Sequence, residues 1–293
     1  MRARSNGLEL EYDTFGDPVD PVLLLISGFA TQMVGWEPGF CRMLADDGFF
    51  VIRFDNRDVG LSSRVAGHVE LAELFAGTLR SVPYGLEDMA DDAVGLLDAL
   101  GVDAAHVVGS SMGGMIGQTL AIRHPHRVLS LCSIMSTTGD PGVGQSTPEA
   151  MAALTMPAAT TPAEAALRGV RVGRVITSNT YFDEASTARR AEEAYVRDHD
   201  PAGVARQLAA VGTQVNRTPA LAGVKVPTLV IHGAVDPVFH VSGGRATADA
   251  VPDARLLVID DMGHELPEPL WTRITTEITA NARRVAASSS PDR

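Results

Sequence analysis

The sequence predicts a doubly wound α/β fold, a mostly parallel sheet interrupted by a helical insertion. Two observations predict it. Continuous runs rich in Val, Ile and Leu recur along the chain: Val22–Ile26, Phe50–Phe54, His106–Gly109, Val128–Met135, Thr228–His232 and Leu256–Ile259. A strand that is apolar at every position has no wet face, as in a parallel sheet covered by helices on both sides. Between the runs lie longer segments of helical periodicity, such as Leu86–Leu100 and Met112–His124. That alternation builds βαβ units. With 45% apolar residues in 293, the chain can bury a large core without disulfide or metal staples.

The elements follow in order. The N-terminus, MRARSNGLELEYD, is charged and carries no apolar leader, so no signal peptide is expected. Leu8–Tyr12 alternates apolar and acidic residues, as an antiparallel edge strand with one wet face does. From about Thr137 to Ala222 no strand-like run occurs, only Ala-rich amphipathic segments. Thr161–Pro162–Ala163–Glu164 reads as a capping box with proline at the first helical position, and Asp200–Pro201 opens another helix. Residues 137–222 are therefore expected to form a helical cap over the sheet's carboxyl edge. The core is then 1–136 with 223–285, and 286–293 (AASSSPDR) reads as a disordered tail.

Composition excludes several classes. With 28 Gly, 17 Pro and no internal repeat, the chain is neither collagen-like nor of low complexity. A formal charge of −12, from 24 basic against 36 acidic residues, repels nucleic acid. No stretch approaches the roughly 18 apolar residues of a membrane span, which points to a soluble cytoplasmic protein. Cys41 and Cys132 allow one bridge at most, and Cys132 lies in an apolar run where a buried free thiol is expected.

The chemistry centres on Gly109–Ser110–Ser111–Met112–Gly113, which follows a strand and opens a helix. This is the G-x-S-x-G elbow, a turn so tight that side chains larger than hydrogen at the flanking glycines would clash. Only Ser111 has glycine at both −2 and +2, so Ser110 is expected to point elsewhere. A serine hydroxyl is a weak nucleophile and needs a base, itself oriented by an acid. In hydrolases with this elbow the order is Ser, then Asp or Glu, then His. Asp236 stands just past the strand ending at His232–Gly233, and His264 stands in the loop after the last strand. Competing residues rank lower. Asp260 and Asp261 read as loop or strand-end carboxylates, His232 as packed in a strand, and His106 as near a strand start. His124 and His126 flank Pro125, and His240 follows Asp236 too closely to face the elbow. Two N–H donors must converge on the oxyanion. The backbone N–H of Met112 is one, and that of Phe29, in the loop Ser27–Gly28–Phe29, is the other.

With these segments in place the chain resembles the α/β-hydrolase superfamily, in its serine-nucleophile, helically capped form. The motifs are Ser27–Phe29, Asp55–Ser62, Gly109–Gly114, Val226–Gly233 with Asp236, and Gly263–His264. Met262–Pro267 and Asp55–Asp58 further resemble bacterial carboxylesterases related to aclacinomycin methylesterase. Relatives commonly carry His-Gly where this chain has Ser27–Gly28, which implies a looser oxyanion loop here. They often carry glycine in place of Asp58, which is then expected as a charge on the rim, while Asp55 and Arg57 are expected to fix their loop. A serine rather than an aspartate nucleophile argues against haloalkane dehalogenase and epoxide hydrolase chemistry.

The resemblance implies hydrolysis of a carboxylic ester of a small or medium-sized substrate through an acyl-enzyme, with no metal or organic cofactor. Thioesters, lactones, C–C bonds and cofactor-free perhydrolysis use the same machinery, and a non-catalytic ligand-binding module is the reading from another class. Met and Leu residues of the insertion are expected to pack rather than recognise, and homo-oligomerisation stays open.

Overall fold

Eight strands form one sheet in the order β1-β2-β4-β3-β5-β6-β7-β8. The structure, a computed structural model, describes residues 1–288. The strands are β1 (Arg2–Ser5), β2 (Leu8–Phe15), β3 (Val22–Ile26), β4 (Phe50–Phe54), β5 (Ala105–Ser110), β6 (Val128–Ile134), β7 (Thr228–Gly233) and β8 (Arg255–Ile259). β1 and β2 run antiparallel to their neighbours, and every other pairing is parallel. The α/β-hydrolase architecture expected from the sequence is the one observed.

The helices are α1 (Pro38–Asp46), α2 (Leu71–Phe75), α3 (Leu86–Ala99), α4 (Met112–Arg123), α5 (Pro148–Leu154), α6 (Pro162–Ile176), α7 (Glu184–Arg197), α8 (Pro201–Gly212), α9 (Thr218–Leu221), α10 (Ser242–Ala250) and α11 (Trp271–Ser288). Residues on one strand divide between two apolar layers because side chains alternate across a sheet. Leu24 and Ile26 join Met89, Leu96, Ile116 and Leu120 on one face. Leu23 and Leu25 join Phe40, Leu44, Trp271 and Ile278 on the other. Cys41 and Cys132 are buried free thiols in the second layer. Burial pushes the Cys41 thiol up to about 12 and raises that of Cys132 too, so neither supplies a thiolate.

Three expectations about the bounds of elements need correction. β2 is not the edge, because β1 pairs outside it. β1 is only four residues long and alternates arginine with small residues, so it offers no apolar signal. Its Arg2 is matched instead to Glu9 and Glu11 across the pair. The capping box at α6 is displaced by one residue. Thr161 Oγ1 accepts the Glu164 N–H at 3.2 Å, but Glu164 reaches back to the N–H and hydroxyl of Thr160, where it finds two donors. The last helix continues through Ser288, taking in the first three residues of the expected tail. The remaining tail lies outside the described residues.

α5 to α9 form the insertion between β6 and β7, and residues 137–222 contain no strand. Polar ties hold it to the loop after β4. Asp58, expected on the rim, is buried and accepts both prongs of the Arg206 guanidinium from α8 at 2.8 Å. A partner 148 positions away makes burial of this carboxylate feasible. Asp55 and Arg57 fix the same loop. Asp55 accepts the N–H groups of Met33 and Leu61 and pairs with Arg197 at 2.7 Å. Arg57 forks onto Asp92 of α3 at 2.6 and 2.7 Å.

Arg206→Met leaves Asp58 buried without a counter-ion, with the Val65 N–H still donating to it. Loss of one member of such a pair costs about 3–5 kcal/mol, a fall in Tm of roughly 10 °C for a chain of this size. Calorimetry should show that drop and its substantial recovery in the Asp58→Asn/Arg206→Met double variant. Equal melting of wild type and Arg206→Met would remove the pair from the interface's stability.

Candidate active site

β5 passes directly into α4 through Ser111, which takes φ 56° and ψ −121°. Non-glycine residues avoid this conformation, and holding it costs on the order of 1–3 kcal/mol. The flanking glycines make it possible. A Cβ on Gly109 would lie 2.0 Å from the Gly113 carbonyl oxygen, and one on Gly113 would lie 2.0 Å from that of Ile26. Both obstacles are backbone and cannot swing aside. The Ser111 N–H donates to Ile134 O at 2.8 Å, which ties the turn to the end of β6.

Three side chains from three strand ends meet there. His264 Nε2 lies 3.0 Å from Ser111 Oγ, and His264 Nδ1 lies 2.8 Å from Asp236 Oδ2. A carboxylate only accepts, so Nδ1 carries the proton and the Nε2 lone pair faces the serine hydroxyl. Asp236 Oδ1 accepts the N–H groups of Val238 and Phe239 at 2.8 and 2.9 Å. Burial alone would raise this carboxyl. The imidazoles of His264 and His232 outweigh burial and hold it well below the usual carboxylate range.

The other candidates lie elsewhere. Asp260 and Asp261 sit in an exposed turn. His106 bonds Ser130 Oγ at 2.9 Å, and burial lowers it to about 4. His124 pairs with Asp91, His126 lies in a single turn after α4, and His240 meets Ser242.

His232 is fully buried, as expected of a strand residue, but packing is not its whole role. Its Nε2 lies 2.7 Å from Phe239 O and 3.4 Å from Asp236 Oδ2. The Phe239 ring in turn meets His264 edge-on, with centroids 5.8 Å apart. A histidine four residues before the acid was the available signal. Glu265 also went unrecognised. Its carboxylate accepts the N–H groups of Gly263 and Ser178 at 3.2 Å, while the His264 N–H donates to Ile176 O at 2.8 Å. The insertion thus grips the loop that carries His264.

Phe29 and Met112 both border the cavity that opens onto Ser111. A Cβ on Gly28 would stand 3.1 Å from the Ser111 Cβ, so the Phe29 loop runs against the serine. Among the described residues, no acceptor takes the N–H of Phe29 or Met112. Two hydrogen bonds hold the loop, although the Ser27 hydroxyl itself is buried without a partner among the described residues. Asn56 Nδ2 donates to Ser27 O at 3.0 Å, and Gln207 Oε1 accepts the Ala30 N–H at 2.9 Å. The cavity measures about 850 Å³ and is largely apolar, with Trp36, Phe40 and Met135 on the core side. Met151, Leu154, Met156 and Leu208 of the insertion also line it, so these residues do more than pack.

A model of the alpha/beta hydrolase fold family matches residues 21–268. The chain is 33% identical to rhodomycin D methylesterase DauP of Streptomyces sp. (strain C5), over 92% of this chain and 93% of the relative. It is 29% identical to 3-oxoadipate enol-lactonase 2 of Acinetobacter baylyi, over 86% of this chain and 85% of that one. Among solved structures, esterase RhEst1 from Rhodococcus sp. ECU1013 superposes with a TM-score of 0.75 at 21% identity, over 97% and 98% of the two chains. The enol-lactonase from Burkholderia xenovorans LB400 gives 0.73 at 24%, over 98% and 100%. At these identities the two solved structures speak for the fold.

Gly113→Ala forces a Cβ onto the Ile26 carbonyl and must displace β3 or the elbow. The variant should melt several degrees lower and lose labelling of Ser111 by a fluorophosphonate. Wild-type melting and labelling together would show that the turn tolerates a side chain.

Proposed function

The chain belongs to the α/β-hydrolase family, and from that premise we propose that it is a serine esterase working through an acyl-enzyme. The observation that carries this reading is the hydrogen-bonded relay Ser111–His264–Asp236 at one end of a large apolar cavity. Ser111 Oγ attacks the ester carbonyl carbon while His264 Nε2 takes its proton. The imidazolium then protonates the leaving alcohol, and water, deprotonated by the same nitrogen, releases the acid. Asp236 holds the tautomer and stabilises the imidazolium without taking its proton. The N–H groups of Phe29 and Met112 receive the oxyanion, and the apolar surroundings strengthen both contacts.

The relation to a rhodomycin D methylesterase supports a methyl ester as the bond cleaved. A cavity of about 850 Å³ supports a bulky apolar acyl part, toward the larger end of the small or medium-sized substrates expected from the sequence. Residues 137–222 serve as the cap that closes over it. A lactone is the second reading, supported by the enol-lactonase relative. The chemistry is unchanged, except that the released alcohol stays joined to the acid.

Ser111→Ala should lower kcat on an activated ester by about 10⁴ or more and abolish fluorophosphonate labelling, with Ser110→Ala near wild type. Asp236→Asn should keep the fold and lose on the order of 10⁴ in kcat through the wrong imidazole tautomer. Steady-state kinetics check both, and comparable losses at Ser110 and Ser111 would move the nucleophile.

The oxyanion loop has its own test. Phe29→Ala keeps the backbone donor and should change mainly KM. Phe29→Pro deletes that donor and should cost about 10²–10³ in kcat, the usual range for one oxyanion contact. A near-normal kcat for Phe29→Pro would place the second donor elsewhere.

A further inference from the structure

We propose that Arg168 is an anion-recognition residue in the cavity, and that the preferred substrates are esters bearing a carboxylate on their acyl part. This rests on the esterase reading and narrows its substrate class. Ala165, Arg168, Gly169, Val172 and Ile176 form the face of α6 that borders the cavity, and Arg168 is the one charged residue on it.

The acidic and arginine side chains that line the cavity beside it are matched, and His199 stacks against the Tyr195 ring. Glu37 pairs with Arg190, Asp58 with Arg206, and Asp198 and Asp200 with Arg64. His264 pairs with Asp236. Among the described residues, Arg168 alone of this set has no ion-pair partner. It donates from Nε to Pro157 O at 3.2 Å, and from Nη2 to Leu154 O and Met156 O at 3.2 and 3.4 Å. These three carbonyls, around the end of α5, orient the guanidinium. Nη1 donates to no acceptor among the described residues.

Burial lowers Arg168 from the usual arginine range, and no carboxylate restores it. Removing a cation from water without a counter-ion is unfavourable, and a ligand carboxylate at Nη1 would offset that penalty. Capping α5 explains Nε and Nη2, but it does not explain a half-buried, unmatched charge on a wall of apolar residues. Arg217 provides the contrast. It too lacks a carboxylate, but its Nε, Nη1 and Nη2 reach four oxygens, on Gln118, Thr137, Gln214 and Val215, and it does not border the cavity.

The experiment compares monomethyl esters of straight-chain dicarboxylic acids, from succinate to sebacate, with methyl alkanoates of matching length. At the best-fitting length, kcat/KM should favour the acid ester by about tenfold, within the range of one charge-assisted hydrogen bond. Arg168→Met should abolish the preference by raising KM for the acid ester, leaving the neutral ester within about twofold, and Arg168→Lys should restore part of it. Equal losses on both substrates, or no preference at any length, would overturn the proposal. Calorimetric titration with suberate separates the two readings. If no ester is cleaved but suberate binds wild type tenfold more tightly than Arg168→Met, the esterase reading fails and the anion site stands.

Discussion

The left-handed backbone at Ser111 is the constraint on which the rest of the structure depends. That conformation requires the helix start, the strand β3 and the elbow to approach one another through hydrogen atoms alone, at Gly109 and Gly113. Such contact fixes where α4 begins relative to β3, and the loop leaving β3 then has to run beside the serine. Phe29 and Met112 therefore reach the same patch of cavity from two different strand ends. The strain is of the order of 1–3 kcal/mol and is carried by two continuous apolar layers.

Asp236 illustrates how the second half of the site is held. Two backbone N–H groups take one carboxylate oxygen, leaving the other to His264. His232 secures the same loop from below through Phe239 O, and the Phe239 ring limits the tilt of the imidazole. From above, Ile176 O and the Ser178 N–H engage His264 and Glu265. The insertion is thus coupled to the loop of His264 as well as to the cavity. A change in the position of α6 would move both the wall of the cavity and the imidazole.

Most of this was legible in the sequence where a signal is local. A strand buried on both faces is apolar at every position, and Val22–Ile26 needs no partner to be recognised. Gly109–Gly113 encodes its own turn. β1 was illegible because its residues are held by backbone pairing with β2, and Arg2 also by Glu9 and Glu11, not by burial. Asp58 was misread because a charge in a loop looks solvated until its partner, far along the chain, is known. The methionines and leucines of the insertion have the spacing of packed residues whether they face a helix or a cavity. Periodicity reports that a face is apolar, not what covers it.

The electrostatics of the cavity follow from the same arrangement. The net charge of −12 acts at the surface, where salt screens it over about 10 Å. Inside, the carboxylates Glu37, Asp58, Asp198 and Asp200 are matched by arginines. In the proposed acyl transfer the charge that forms is a local pair, an oxyanion beside an imidazolium, with Asp236 behind the imidazolium. Arg168 apart, the lining is apolar or charge-matched, which on the proposed mechanism leaves that pair to two N–H groups and one carboxylate. Preorganisation of this kind lowers a barrier because no dipole has to turn as the charge develops.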